Sequence, residues 1–439
     1  MADLATRTGF DGDALQALPA ATGFVRALRE RALEEFVTLP VPAQETEEWR
    51  YTDLSDLDLG GFRAFVEGGH ADNLDDVPGE VLEAAGDVGE RAGLLVQRNS
   101  EPLTSHLAPE LAERGVVFTD LDHAAEAHPE LVEPALHAIV PTDRTKFTAL
   151  HGAFRSGGTF LYVPPRTRVE LPLQSLTYLE ADGAAVFPHT LIVVGQESDV
   201  TFIDRYVSPD LEAALSDAVV EIDCGPASRV RYVSLQEWGA GVTHLSVQRA
   251  RLARDAEFRS LSVAFGADLS RNEFESVLAE PGATSEMLGL YFADGSQHFD
   301  HRTLQDHVAG NGNSNLLYKG ALKGHSRAIY SGWVHIRPGA SRSDAFQTNR
   351  NIVLSEHAKA DAIPNLEIEN NEVRCGHAAS VGPVDEEALF YLQSRGIPRK
   401  EAERLIVFGF FQEVLDKVDL PEVRRGLEQA IERELEQEE

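Results

Sequence analysis

Cysteine is nearly absent: 439 residues hold two, Cys224 and Cys375. Two thiols so far apart cannot build a disulfide framework, and a reducing compartment is the simple inference. Basic charge is scarce as well, with 39 Lys and Arg against 72 Asp and Glu and a net charge of −33. Such a surface repels phosphate backbones and anionic headgroups, so neither nucleic-acid nor membrane binding is expected. There is no long hydrophobic run, since L-I-V-F-G-F-F at 405–411 is far too short to span a bilayer. The first ten residues carry an early acid and no apolar core segment, so no secretory signal is expected and the chain reads as cytoplasmic. A G-x-x-x-x-G-K-[ST] loop is missing, G-N-G-N at 310–313 follows no βαβ pattern, and G-H-S-R-A at 324–328 has no strand-to-helix setting.

What is present falls into three blocks. Residues 1–155 read as mainly helical: Phe24, Val25, Leu28, Ala32 and Phe36 repeat every three or four positions over 22–39, and 123–140 and 143–154 look similar. Residues 156–384 are short β-rich runs separated by small-residue turns. A Gly, acid or His followed by Ala or Ser recurs at Ala227, Ala256, Ala283, Ala340 and Ala358. A loose period of 20 to 30 residues with one or two strands per unit marks a β-solenoid, best a parallel β-helix, with a β-sandwich as the runner-up. Such a stack has two open ends that need a cap or a partner. Residues 385–439 return to helix, with Asp385 as N-cap, Gly396 as a stop and Pro398 opening a second helix. That helix is apolar all round at Leu405, Ile406, Val407, Phe408, Phe410 and Phe411, which fits either a sandwiched helix or a docking surface. A last acidic helix is expected at 421–437.

Two clusters could carry chemistry. In Q-H-F-D-H-R-T-L-Q-D-H (297–307) a strand puts His298 and Asp300 on one face, a pairing that suits a metal as well as a polar ladder; His301 and His307 lie nearby. In E-V-R-C-G-H-A-A-S (372–380) Cys375 and His377 likewise share a face near the end of the last coil. Metal site, catalytic pair and packing all fit, and two ligands leave a tetrahedral site half built, so the others would come from elsewhere, including another chain.

The stretches R-N-E-F (271–274), L-Y-K-G (317–320), R-P-G-A-S-R-S-D-A-F-Q-T-N-R-N (337–351), R-C-G-H-A-A-S-V-G (374–382) and D-E-E-A-L-F-Y-L-Q-S-R-G-I (385–397), with E-E-W-R-Y-T (47–52) upstream, resemble the SufB/SufD family, the scaffold subunits of the SUF iron–sulfur cluster assembly machine. Asp217 and Asn349 stand where the SufB branch has cysteines, and C-G-H-A where it has E-H-E, which is the pattern of the SufD branch. The resemblance implies a right-handed parallel β-helix that pairs edge to edge with SufB, or with a second copy of itself in isolation. It further implies a non-catalytic scaffold whose C-terminal helices dock the ATPase SufC through Phe390, Leu405, Phe408 and Phe411. His377, and more weakly Cys375, would serve a transient iron–sulfur cluster shared with SufB, with none held permanently by this chain alone. Two competing expectations are a β-helix carbohydrate-active enzyme, against which the missing signal peptide counts, and a self-contained metalloprotein built on His298, His301 and His307.

Overall fold

The computed structural model describes residues 8–21 and 23–436. Between Gly93 and Pro383 the backbone winds as a β-solenoid of two ten-stranded sheets, with consecutive strands passing from one sheet to the other through most of the stack. Pairing is parallel and in register over long stretches, as in Arg229–Glu237 against Asp199–Val207 and Leu269–Leu278 against His298–His307. Paired residues therefore share a face, and like stacks on like: Phe202 and Tyr232 are partners whose rings are parallel within 1°. Each coil can bury its inner face only against its neighbours, which is why strands such as Asp344–Val353 alternate buried and outward residues without helical periodicity.

One corner of each coil is a tight turn with a single residue in the left-handed region: Arg166, Glu197, Ala227, Asp255, Gly282, Asn311 and Arg342, recurring every 27 to 31 residues. For a non-glycine residue that conformation costs about 1–2 kcal/mol. It is offset because each of these N–H groups donates to a carbonyl of the next coil, from Arg166 to Gln196 through Arg342 to Glu372, so the backbone ladder continues around the corner. The following residue points into the core, and Ser228, Ala256 and Ala283 are wholly buried there. This corrects the phase of the expected repeat, because Ala227 itself is exposed and Ser228 takes the buried place. Ala340 and Ala358 belong to opposite corners, before Asp344–Val353 and before Lys359–Ile368, so their short spacing is not a coil length.

The first block is less helical than expected. Helices Gly23–Thr38 and Lys146–Phe154 are present, the second opened by a Thr145 capping box, while Thr22, where the first was expected to begin, lies outside the described residues. The helix expected over 123–140 ends at Val132 and is broken before Pro129, which supplies no N–H to continue it. Strands Gly93–Arg98, Glu101–Leu107 and Val117–Asp120 join the sheets, so the solenoid starts well before residue 156. The second and third of these pair antiparallel with Gly93–Arg98 and Thr159–Val163 and close that end of the stack. The other end stays open: Lys359–Ile368 and Arg374–Pro383 are the terminal strands of their sheets, each paired on one side only.

Three helices follow, Glu386–Ser394, Arg399–Leu415 and Pro421–Glu436, the first capped by Asp385 as the sequence implied; residue 437 lies outside the described residues. The long middle helix lies against the outer face of one sheet, where Val407, Phe411, Val414 and Leu415 pack on Leu288, Leu290, Phe292 and Leu317. Lys319 reaches out from the sheet to the Phe410 carbonyl and the Glu413 carboxylate. No helix among the described residues is long and apolar enough to cross a membrane.

Candidate functional site

The open end gathers the C-G-H-A segment. Arg374–Pro383 pairs only with Asp344–Val353, in the register Ala345 to Cys375, Gln347 to His377, Asn349 to Ala379 and Asn351 to Val381. Ala345, Gln347, Asn349 and Asn351 are buried in the solenoid interior, so His377 lies on the lumen-facing side of the last coil. With no further coil above it the imidazole is exposed rather than enclosed. The facing strand Lys359–Ile368 contributes half-exposed Ala362, Pro364 and Leu366, and Ile368 and Val381 are 45% and 44% exposed. Ten-residue edges with apolar side chains and unpaired backbone groups invite pairing with another chain, and Pro364 interrupts only one donor position.

Beneath His377 the lumen is polar. Both amide atoms of Gln347, directly under it, are buried without a hydrogen-bond partner. Asn349, one step along, donates to the Tyr318 carbonyl and the Tyr291 hydroxyl. An unsatisfied buried amide costs about 1–3 kcal/mol. Cys375 is different in kind. It packs at the margin of Val334, Ile336, Ala340 and Ala345, and burial, with Asp344 adding to it, pushes its thiol pKa up. A thiol held protonated in an apolar corner is a poor ligand. Cys224 is wholly buried in the lumen core, and burial pushes its thiol up as well.

The segment 297–307 does not assemble a metal site. His298 and Asp300 do share a face, and the Thr52 hydroxyl reaches both, donating to Asp300 at 2.7 Å and standing 3.4 Å from His298 Nε2. Asp300, however, is taken up by Arg271 at 2.6 Å and Arg302 at 3.2 Å. Burial alone would raise its pKa, but these guanidiniums override it and hold the carboxyl below its ordinary value. Arg271 in turn stacks on the Trp49 ring at 3.9 Å. Thus E-E-W-R-Y-T and R-N-E-F, far apart in sequence, form one clip that fastens the N-terminal segment to the solenoid. His301 and His307 alternate to the opposite face, into the lumen, where His301 sits 4.6 Å from the Tyr291 ring and His307 bonds Ser314. Strand alternation separates them from His298 and Asp300, and the expected His298, Asp300 and His301 set is corrected accordingly.

The four C-terminal candidates also divide. Phe390 is 74% and Leu405 43% exposed, with Tyr391 at 56% beside Phe390 in sequence. Phe408 is half-buried at the edge of the sheet contact, and Phe411 is wholly buried within it. Phe411 is therefore a packing residue, because its face of the helix is already occupied. The structure also brings together three histidines that no motif joined, His137, His151 and His189, all buried under the N-terminal region.

Fold and mouth together define a β-solenoid with one end closed by antiparallel strands and the other ending in two strands paired on one side only. The description "SUF system FeS cluster assembly, SufBD core domain" matches residues 177–410, and "SufBD protein N-terminal region" matches 91–175. The chain is 33% identical to the iron–sulfur cluster assembly protein SufD of Bacillus subtilis over 419 residues, 94% of both chains. It is 38% identical to an iron–sulfur cluster assembly SufBD family protein of Mycobacterium tuberculosis, covering 68% of this chain and 75% of that one. A family member from Staphylococcus epidermidis is 30% identical over 88% of this chain and 83% of its own. The chain belongs to the SufBD family of iron–sulfur cluster assembly proteins, and it is SufD-like.

Proposed function

We propose that this chain is the SufD-type, non-catalytic scaffold subunit of a SUF complex. Its open end pairs with the matching edge of SufB, and His377 offers an imidazole to a cluster whose sulfur ligands come from SufB. The observation that carries the reading is the position of His377: exposed on the terminal strand, above an unpartnered Gln347, at the only coil that no other strand covers among the described residues. One imidazole with one apolar thiol cannot hold a cluster alone, which supports completion of the site by another chain. The cluster is cargo here, formed at the seam and passed on.

The C-terminal helices dock SufC through Phe390 and Leu405, with Phe408 at the border, and ATP hydrolysis resides in SufC, whose closure shifts the SufB seam and exposes the cluster. In isolation the same edge admits a second copy of this chain, in the cytoplasm as in solution. The test is anaerobic co-expression with SufB and SufC and purification on a tag carried by this chain. Recovery of all three with His377-dependent cluster content supports the reading; recovery of this chain alone, free of both partners, would overturn it.

A further inference from the structure

Under the N-terminal region, against the outer face of the strand Ala214–Cys224, three histidines from separate segments converge. His137 lies in the turn after Pro129–Val132, His151 on the helix Lys146–Phe154, and His189 at the start of His189–Val194. One ring nitrogen of each lies within 4.8 Å of the others, and none of the three rings is exposed beyond 8%. The outer hydrogen bonds fix the tautomers. His151 Nδ1 is 2.8 Å from the Asp217 carbonyl oxygen and His137 Nδ1 is 3.0 Å from that of Val140. A carbonyl only accepts, so both Nδ1 atoms carry the proton and both Nε2 atoms are bare.

His189 Nε2 stands 3.2 Å from Glu221 Oε2. That carboxylate already accepts the backbone N–H groups of His137, Ile139 and Val140 at 2.7 to 2.8 Å. With the carboxylate ionised, the form these three bonds favour against the burial that opposes it, His189 Nε2 is the donor and Nδ1 is bare. His151 Nε2 and His189 Nδ1 then face each other at 3.0 Å with two lone pairs between them, and His137 Nε2 is buried with no partner at all.

We propose that His137, His151 and His189 bind a first-row divalent transition cation, of the class Zn²⁺, Co²⁺ or Fe²⁺. Neutral imidazole nitrogens are the donors such ions take, and ligating histidines characteristically give their other N–H to a carboxylate or backbone carbonyl, which all three do here. Glu221 supplies a compensating negative charge through His189, and Asp217, on the same face of that strand, adds a buried oxygen without a partner. The ion would tie the turn at 137, the helix at 151 and the first coils of the solenoid into one unit, so its role is structural and its binding is coupled to folding. This site is remote in sequence and setting from the open end and does not depend on the reading of His377.

The competing arrangement is metal-free. Burial raises the Glu221 pKa, and a proton on its Oε2 would be donated to His189 Nε2, with His189 Nδ1–H donating to His151 Nε2. The experiment separates the two. The full-length, untagged chain is produced in medium supplemented with Zn²⁺ or Co²⁺, washed with chelator in the folded state, and assayed by elemental analysis. About one ion per chain should survive the wash, and the Co²⁺ form should show the visible d–d bands of low-coordinate cobalt. His137→Ala should lower the retained metal by about tenfold or more. His137→Cys should regain Co²⁺ and add a thiolate charge-transfer band, which decides the matter even if His137→Ala fails to fold. His377→Ala should retain the full complement. A wild-type chain without stoichiometric metal, both as purified and after refolding with Co²⁺, overturns the proposal in favour of the proton relay, as does undiminished metal in a folded His137→Ala.

Discussion

Replacing Phe411 by Ala and Phe390 by Asp, one aromatic wholly buried and the other 74% exposed, should give opposite phenotypes. Phe411 has no exposed surface and packs with Val407, Val414 and Leu415 on Leu288, Leu290 and Leu317. Truncating a buried Phe costs about 3–5 kcal/mol in lost transfer energy and cavity formation, a large share of the 5–15 kcal/mol that typically holds a domain folded. Phe390 is 74% exposed, so its substitution should stay within about 0.5 kcal/mol. In urea titrations of the isolated chain, Phe411→Ala should shift the unfolding of the helix-covered sheet to clearly lower denaturant, and Phe390→Asp should overlay the wild type. In capture assays with SufC the order should invert: Phe390→Asp and Leu405→Asp lose SufC while remaining folded. Wild-type stability for Phe411→Ala, or a loss of several kcal/mol for Phe390→Asp, would refute the packing argument; full SufC capture by the folded Phe390→Asp, Leu405→Asp double variant would refute the docking argument.

Three further outcomes are expected. Arg271→Ala leaves the buried Asp300 without its nearest guanidinium and removes the stack on Trp49; a loss of about 3–5 kcal/mol is expected, measured by denaturant unfolding, and a near-neutral effect would contradict the clip. Burial lowers the pKa of His244 to about 3 and of His301 to about 4, against about 6.5 unfolded. The unfolded chain thus binds the extra protons, so the stabilisation is complete above about pH 6.5 and is lost as pH falls toward 4, by about 3 kcal/mol or more per site. Asp204 and Asp217, raised by burial, act in the opposite sense, so His301→Phe isolates the histidine contribution: its urea midpoint should depend less on pH between 7 and 5 than that of the wild type, and an identical dependence would contradict the assignment. Finally, Gln347→Leu should leave the strand ladder intact and slightly stabilise the isolated chain by removing two unpartnered polar atoms, while lowering cluster content in the complex; a strongly destabilised chain would show that the amide serves the fold instead.

The solenoid was legible because its cause is local: small residues at a recurring corner, β-branched and aromatic runs between, and no helical period. The phase of that repeat was not, since Ala227 and Ser228 are both small and only the left-handed backbone at 227 tells which one turns inward. The early strands at 93–120 escaped because their sheet partners, such as Leu173–Tyr178, lie some eighty residues away. At the site, the exposed end position of His377 followed from its place in the last coil. The metal reading of His298, Asp300 and His301 missed because strand alternation removes His301 and a distant residue, Arg271, consumes Asp300. His137, His151 and His189 left no signal in spacing, as each comes from a different kind of element and only the packing of the N-terminal region on the solenoid joins them. The helix at 405–411 is apolar all round in sequence, which fits either a sandwiched helix or a docking surface, and the structure buries Phe411 against the sheet while leaving Leu405 43% exposed.

The most direct measurement is the iron and acid-labile sulfide content of the anaerobically co-purified complex carrying His377→Ala, compared with wild type at equal recovery of all three subunits. If the terminal imidazole takes part in holding the nascent cluster across the seam, assembly persists and cluster content falls by about tenfold. Undiminished iron and sulfide in an intact complex would contradict it.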